Sequence, residues 1–304
     1  MSYEKILQEL ALTDERYVCI TAENRALIRN LPPILKDRFI DVGITEQTMV
    51  GMAAGLALQG RIPIIHALAT FLTLRAFEFI RTDVGISGLP VKLTGFIPGF
   101  LSDGNGPTHQ AIEDVSILRG IPGMQVFCPA DEEDMLLMLR KIWASPNPCY
   151  LRANTRKAVY DHDKNFEIGK AEIISQGNDI TILTYGMLLE QALGAKKLLE
   201  AQGKSVGLVN MRSLKPIDEK IIIQTVEDSE MVVTLEDHFL TGGLYSIVAE
   251  TLLKNQTTGV VYPIALDEKW FKPGLLSEVL EYEGFTSEKI TQKILQAYSQ
   301  LVYS

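Results

Sequence analysis

Twice along the chain, short apolar runs rich in β-branched residues alternate with longer amphipathic segments, and that alternation leaves few folds open. In the first stretch, 17–151, the runs at 17–20, 62–65, 91–94 and 125–127 read as strands, and the segments 46–58, 71–81, 112–119 and 132–144 read as helices. Runs this apolar suit strands covered on both faces of a parallel sheet. A charged interruption at 156–164 reads as a link, after which the pattern resumes. Strands are expected at 180–185, 205–210, 231–235 and 260–266, and helices at 188–202, 218–225, 243–254 and 287–301. Asp218 and Ser287 stand where N-caps belong. The expectation is an α/β protein of two consecutive α/β/α domains, 1–165 with a mostly parallel sheet and 175–304 smaller. A length of 304 residues suits two domains of ordinary size.

Asp and Glu number 38 against 29 Lys and Arg, a net charge of −9, so no basic face suited to nucleic acid is expected. The most apolar stretch, 49–74, holds Gln59, Arg61 and His66, which argues against a membrane span. Met1-Ser2-Tyr3-Glu4-Lys5 does not read as the start of a signal peptide, and a cytoplasmic location is expected. Cys19, Cys128 and Cys149 are widely spaced, with no CxxC, and read as reduced structural residues. The four histidines are too dispersed for a multi-histidine zinc site. GxxxxGK, HExxH and GxSxG are absent, as is a GxGxxG after a strand, and no metal site is expected in this chain.

Two polar clusters stand out against this background. Asp41-Val42-Gly43-Ile44-Thr45-Glu46-Gln47 precedes a segment rich in Gly and Ala, 49–57, which must pack closely against something. Glu46 falls at the first turn of that helix. A carboxylate there is either a solvated or capping residue or a buried acid aimed at a ligand. The second cluster, Asp103-Gly104-Asn105-Gly106-Pro107-Thr108-His109-Gln110, reads as an irregular loop after a strand. Such loops line sites in open α/β sheets. His109 can donate, accept or carry charge near neutral pH, which suits a sugar hydroxyl or phosphate, although a lone loop histidine also serves structure.

At these clusters the chain resembles the C-terminal two thirds of a transketolase. Gly43-Ile44-Thr45-Glu46-Gln47, the small-residue helix and Thr70-Phe71 follow the family's pyrimidine-binding domain. Gly106-Pro107-Thr108-His109-Gln110, Glu113-Asp114, Arg119-Gly120-Ile121-Pro122 and Pro129-Ala130-Asp131 come next in family order. Leu214-Lys215-Pro216-Ile217-Asp218, Glu236-Asp237-His238 and Gly242-Gly243 resemble its C-terminal domain. The resemblance implies thiamine diphosphate as cofactor, with Glu46 as the catalytic carboxyl group held against N1' of its aminopyrimidine. It places Phe71, Leu74 and Phe77 on the wall of the pyrimidine pocket and brings Glu23 near the cofactor; Leu74 and Phe77 fit the core stripe of a helix equally well.

The Gly-Asp-Gly motif by which the family holds the diphosphate and a divalent metal such as Mg2+ does not occur in the sequence. The chain therefore resembles the second subunit of a split transketolase. Its implied partner is an N-terminal transketolase-type subunit carrying the diphosphate domain, the pair forming α2β2. His109 is implied as catalytic and sugar-binding. Asn105 stands where the family has an aspartate that reads a donor hydroxyl, and Thr94-Gly95-Phe96-Ile97-Pro98-Gly99 lacks the family's histidine. Arg152 and Arg156 are candidates for an arginine that binds a sugar phosphate, with a charge pair as the other role for each. The implied reaction moves a two-carbon ketol unit from a ketose to an aldose, the sugar being a specialised one. A decarboxylating thiamine enzyme, resembling 1-deoxyxylulose-phosphate synthase or the beta subunit of 2-oxo acid dehydrogenases, is the enzymatic alternative. A non-catalytic assembly subunit is the other.

Overall fold

The computed structural model describes residues 1–102 and 104–302, so Asp103 of the loop lies outside the described residues. Its strands in chain order are β1 (Tyr17–Thr21), β2 (Phe39–Asp41), β3 (Ile62–Leu68), β4 (Lys92–Phe96), β5 (Gln125–Phe127), β6 (Cys149–Ala153), β7 (Glu172–Ser175), β8 (Ile180–Thr184), β9 (Val206–Asn210), β10 (Ser213–Lys215), β11 (Met231–Phe239) and β12 (Val261–Leu266). They form a sheet of seven in the order β10-β5-β6-β4-β3-β1-β2 and a sheet of five in the order β12-β11-β8-β9-β7. Pairing is parallel except for β10 on β5 and β7 on β9. Every residue of β1, β4, β6, β8 and β9 is buried, as strands covered by helices on both faces require. The two consecutive α/β units are thus present, but β10 crosses from the second half of the chain to complete the edge of the first sheet.

Helices form at Glu46–Leu58, Glu132–Ala144, Leu189–Glu200, Glu219–Asp228, Leu244–Lys254 and Ser287–Val302, close to the expected bounds. The segment 71–81 differs. It is wound as π-helix over Phe71–Arg75 and Ile80–Gly85, around a short α-turn at Phe77–Phe79. Widened turns of this kind recur at functional sites. β6, an interior strand of the first sheet between β5 and β4, went unread because Arg152 interrupts its apolar run; a buried arginine is admissible only where partners await it. Of the two expected caps, Asp218 does hold the N-cap position, without a capping hydrogen bond, and Ser287 does not. The Asp218 carboxylate accepts from the Ala171 N–H rather than from its own helix. Ser287 is the first helical residue and donates to the Gln191 carbonyl, while Thr286 accepts the Lys289 N–H.

One apolar core runs through both units: Val50, Ala53 and Leu93 belong to the same cluster as Leu183, Met211 and Val232. Among the described residues, no helix is long and apolar enough to cross a membrane. The charged link is no solvated tether either, because His162 is buried in it. Its ring lies 2.9 Å from Asp131 Oδ2 through Nε2 and 2.7 Å from Glu172 Oε2 through Nδ1. Burial disfavours the imidazolium, but hydrogen bonds to the two carboxylates prevail and push the His162 pKa up to about 10. A histidine raised in the fold contributes stability that is complete below its unfolded value of roughly 6.5 and disappears as pH rises through the folded value. Thermal melts should therefore fall between pH 7 and 9.5 more steeply for the wild type than for His162→Gln. Parallel slopes would refute the account.

Candidate functional site

Glu46 opens its helix with no side-chain cap before it, so its carboxylate sits on the positive end of the helix and is only 2% exposed. Arg75 Nη1 donates to Glu46 Oε2 at 2.8 Å. The same guanidinium lies over the Phe71 ring, 4.3 Å from its centroid, and Phe71 meets His109 edge-on at 5.1 Å. Glu46, Arg75, Phe71 and His109 therefore form one connected row, drawn from two helices and a loop. His109 is held on the loop by its N–H to the Gly106 carbonyl, 3.0 Å, and by Nδ1 against Thr108 Oγ1, 2.9 Å. Next in the chain to Phe71 and His109, the hydroxyl of Thr70 and both amide atoms of Gln110 are buried without a hydrogen-bond partner. Buried polar atoms in that condition call for a ligand, an ion or water.

The remaining expected residues are placed less uniformly. Leu74 is exposed, and Phe77 packs on the core and lines a groove with Ile86, Ile117 and Ile121. The contacts that join Glu46 to His109 include neither. Glu23 is exposed, in left-handed backbone at φ +71°, its N–H donating to Asp41 Oδ1. Asn105 lies on the exposed loop with its Nδ2 3.5 Å from Ser102 Oγ.

Arg152 requires correction as a sugar-phosphate ligand. Its Nε donates to Asp114 Oδ2 at 2.9 Å, Nη1 to Asp237 Oδ1 at 2.8 Å and Nη2 to the Ala111 carbonyl at 3.1 Å, with its side chain 3% exposed. Each of its three nitrogens is engaged within the protein, so none is left to face a substrate. Asp237 comes from the second unit and Asp114 from the first, so Arg152 ties the two together. Gly99 permits this: at φ +57°, a Cβ there would stand 1.7 Å from Asp237 Oδ2. In the same seam the Ser116 N–H donates to His238 Nε2 at 3.3 Å, and burial holds His238 down to about 4, hence neutral. Arg156 pairs with Glu190 at 2.7 Å, both partly exposed, the ordinary charge pair that was its other reading.

Arg75 went unread. A regular helical reading of 71–81 gave no cause to aim it at Glu46, because the π-turn over Phe71–Arg75 leaves no mark in the sequence period. Asp134, His162 and Glu172 come within ligand distance of one another, the one such group among the described residues. Arg212 lies 3.0 Å from both Asp134 and Glu172, and His162 bridges Glu172 to Asp131, so these carboxylates already have cationic partners within the protein. That cluster is an ion-pair network.

Residues 2–159 match the family model described as "Transketolase, pyrimidine binding domain", and 169–290 match "Transketolase, C-terminal domain". The chain is 34% identical over 295 residues to the 6-deoxy-6-sulfo-D-fructose transketolase subunit SqwH of Clostridium sp. (strain MSTE9), covering 96% of this chain and 91% of the relative. It is 32% identical to a 1-deoxy-D-xylulose-5-phosphate synthase of Caldanaerobacter subterraneus subsp. tengcongensis, but 98% of this chain spans only 49% of that protein. A split-gene transketolase solved as an inactive beta4 tetramer superposes with a TM-score of 0.86 at 32% identity, over 98% of this chain and 96% of that one.

Proposed function

The chain belongs to the transketolase family, as a subunit with its pyrimidine-binding and C-terminal domains, and from that premise we propose that it works with a partner chain as a thiamine diphosphate enzyme. The proposed reaction moves a two-carbon ketol unit from a ketose to an aldose. The observation that carries this reading is Glu46, a buried carboxylate held by one guanidinium beside an aromatic face. A scaffold has no need of such an acid.

The residues present fit the cofactor's pyrimidine half. A carboxylate, an aromatic ring and unpartnered buried polar atoms at Thr70 and Gln110 stand together on the segments that carry the row. When bound, thiamine diphosphate supplies an acidic thiazolium carbon that carries the ketol unit between sugars. Glu46 is the residue to hold a proton at the ring nitrogen of an aminopyrimidine, a hydrogen bond that replaces the one from Arg75. Phe71 offers a ring to pack on it. His109, one contact further along the row, is the group to orient a sugar hydroxyl.

The diphosphate and a divalent metal such as Mg2+ fall to the partner, an N-terminal transketolase-type subunit, with α2β2 as the proposed assembly. Ile44, Met52, Leu74, Phe79 and Ile86 are exposed apolar side chains on and beside the helices that bear Glu46 and Phe71, a face suited to a protein partner. For substrate we infer a sugar altered at C6, of the class named for the Clostridium relative. Two departures support it: Asn105 has no charge where an aspartate is usual, and Ile97 occupies the histidine segment with φ +45°.

Purified alone, this chain is expected to transfer no ketol unit. Co-expressed with a chain carrying the Gly-Asp-Gly domain, it should turn over 6-deoxy-6-sulfo-D-fructose in preference to fructose 6-phosphate, with an aldose phosphate supplied as acceptor. Turnover by the single chain, or release of CO2 from pyruvate by the pair in place of ketol transfer, would sink the reading.

A further inference from the structure

The second unit reaches back over the loop that carries Asn105 and His109 through residues 267–275, which follow β12. This strap is anchored. Phe271 is buried edge-on against Phe100 at 5.5 Å, Lys269 pairs with Glu283 at 3.1 Å, and the Lys272 carbonyl accepts from the Tyr282 hydroxyl. From that footing the Gly274 carbonyl accepts the Gly104 N–H at 2.8 Å. Two residues on, Gly106 abuts Pro273 so closely that a Cβ at 106 would stand 2.7 Å from Pro273 Cγ, with φ already at +76°. Asn105 is therefore pinned on both sides by the other unit. The Gly106 carbonyl in turn accepts the His109 N–H, so the pinned residue also sets the turn that presents His109 to Phe71.

We propose that Pro273 and Gly274 are positioning residues for sugar selection, holding the loop from across the boundary between the two units. The inference rests on the functional reading above for what the loop selects, and on the contacts alone for the coupling itself. Neither residue needs to touch the sugar. Their effect passes through Gly104 and Gly106, which fix where Asn105 and His109 stand, and a displacement of about 1 Å in such groups is enough to cost binding and turnover.

The strap carries its own reporter. Of the two tryptophans, Trp270 lies on it, 66% exposed and edge-on to Phe239 at 5.5 Å, while Trp143 is 1% exposed in the core. In the chain with Trp143→Phe, Gly106→Ala should change the emission and acrylamide quenching of Trp270, and adding Pro273→Gly should reverse most of that change. Trp270 indifferent to Gly106→Ala would overturn the coupling, whatever the protein's reaction.

In the co-expressed pair, Pro273→Gly should lower kcat/KM for the sugar donor about tenfold, chiefly through KM, and shift the ratio between 6-deoxy-6-sulfo-D-fructose and fructose 6-phosphate. Thiamine diphosphate affinity and melting temperature should stay close to wild type. Equal losses on both donors at unchanged KM would mark a merely structural role and overturn sugar selection. A wild-type pair that turns over no sugar, with Trp270 still answering to residue 106, would overturn the functional reading and the selecting role with it, leaving the mechanical coupling intact.

Discussion

Glu46→Gln is expected to leave the fold and the assembly with a partner chain unchanged while lowering turnover about 10²- to 10⁴-fold, the range usual for a positioned acid or base. The substitution preserves shape and a hydrogen-bonding oxygen but removes the capacity to hold and release a proton. It also breaks the ion pair with Arg75, so a control is needed. Arg75 is 39% exposed but Glu46 is buried, so removing the guanidinium leaves the carboxylate short of a partner until the cofactor takes its place. Arg75→Gln should slow the reaction much less than Glu46→Gln does, since the group that holds the proton remains. Steady-state rates at saturating thiamine diphosphate, with melts of both variants, separate the two effects. A Glu46→Gln enzyme near the wild-type rate would remove Glu46 from the chemistry.

Arg152→Met should be the most destabilising single change in the seam between the units. Removing one partner of a buried ion pair typically costs about 3–5 kcal/mol, because the charges left behind have neither water nor a counterion. Here two carboxylates, Asp114 and Asp237, would be left. Burial raises the Asp237 pKa and Arg152 opposes the rise, so without Arg152 the carboxyl group takes up a proton more readily. The loss should therefore be smaller at pH 5 than at pH 8, and adding Asp114→Asn and Asp237→Asn should recover part of it. A drop in melting temperature of roughly 6 °C or more at pH 8 is the expected reading. If Arg152 instead bound a sugar phosphate, the variant would melt normally and show only a raised KM.

The two clusters that carry the candidate site were marked in the sequence by local signals. Glu46 stands at the start of a helix rich in Gly and Ala, after a polar turn, which left it either a capping residue or a buried acid until the family resemblance chose between them. The loop of Asn105 and His109 is marked by two glycines and a proline next to a strand. Arg75 was overlooked and Arg152 misplaced, for different reasons. Arg75 sits in a segment whose regular α-helical reading gave no cause to aim it at Glu46, and the π-turns there were invisible to a 3.6-residue period. Arg152 looked free because its partners lie 38 and 85 residues away in the chain.

From the sequence alone came the two α/β units, most of their strands and helices, and the family resemblance that singled out Glu46. These follow from periodicity and from motifs short enough to be read in one stretch, since strand and helix each impose a repeat of two or 3.6 residues on which side chains are apolar. Tertiary structure alone decided which charges are free. It joined β10 to the first sheet, spread one apolar core across both units, buried His162 in the charged link, and closed Arg152 between two aspartates. The physical reason is that a charged side chain states its type in the sequence but not its solvent. Whether Arg152 meets water, a substrate or two carboxylates depends on what distant segments bring to within 3 Å of it, and only the assembled fold sets those distances.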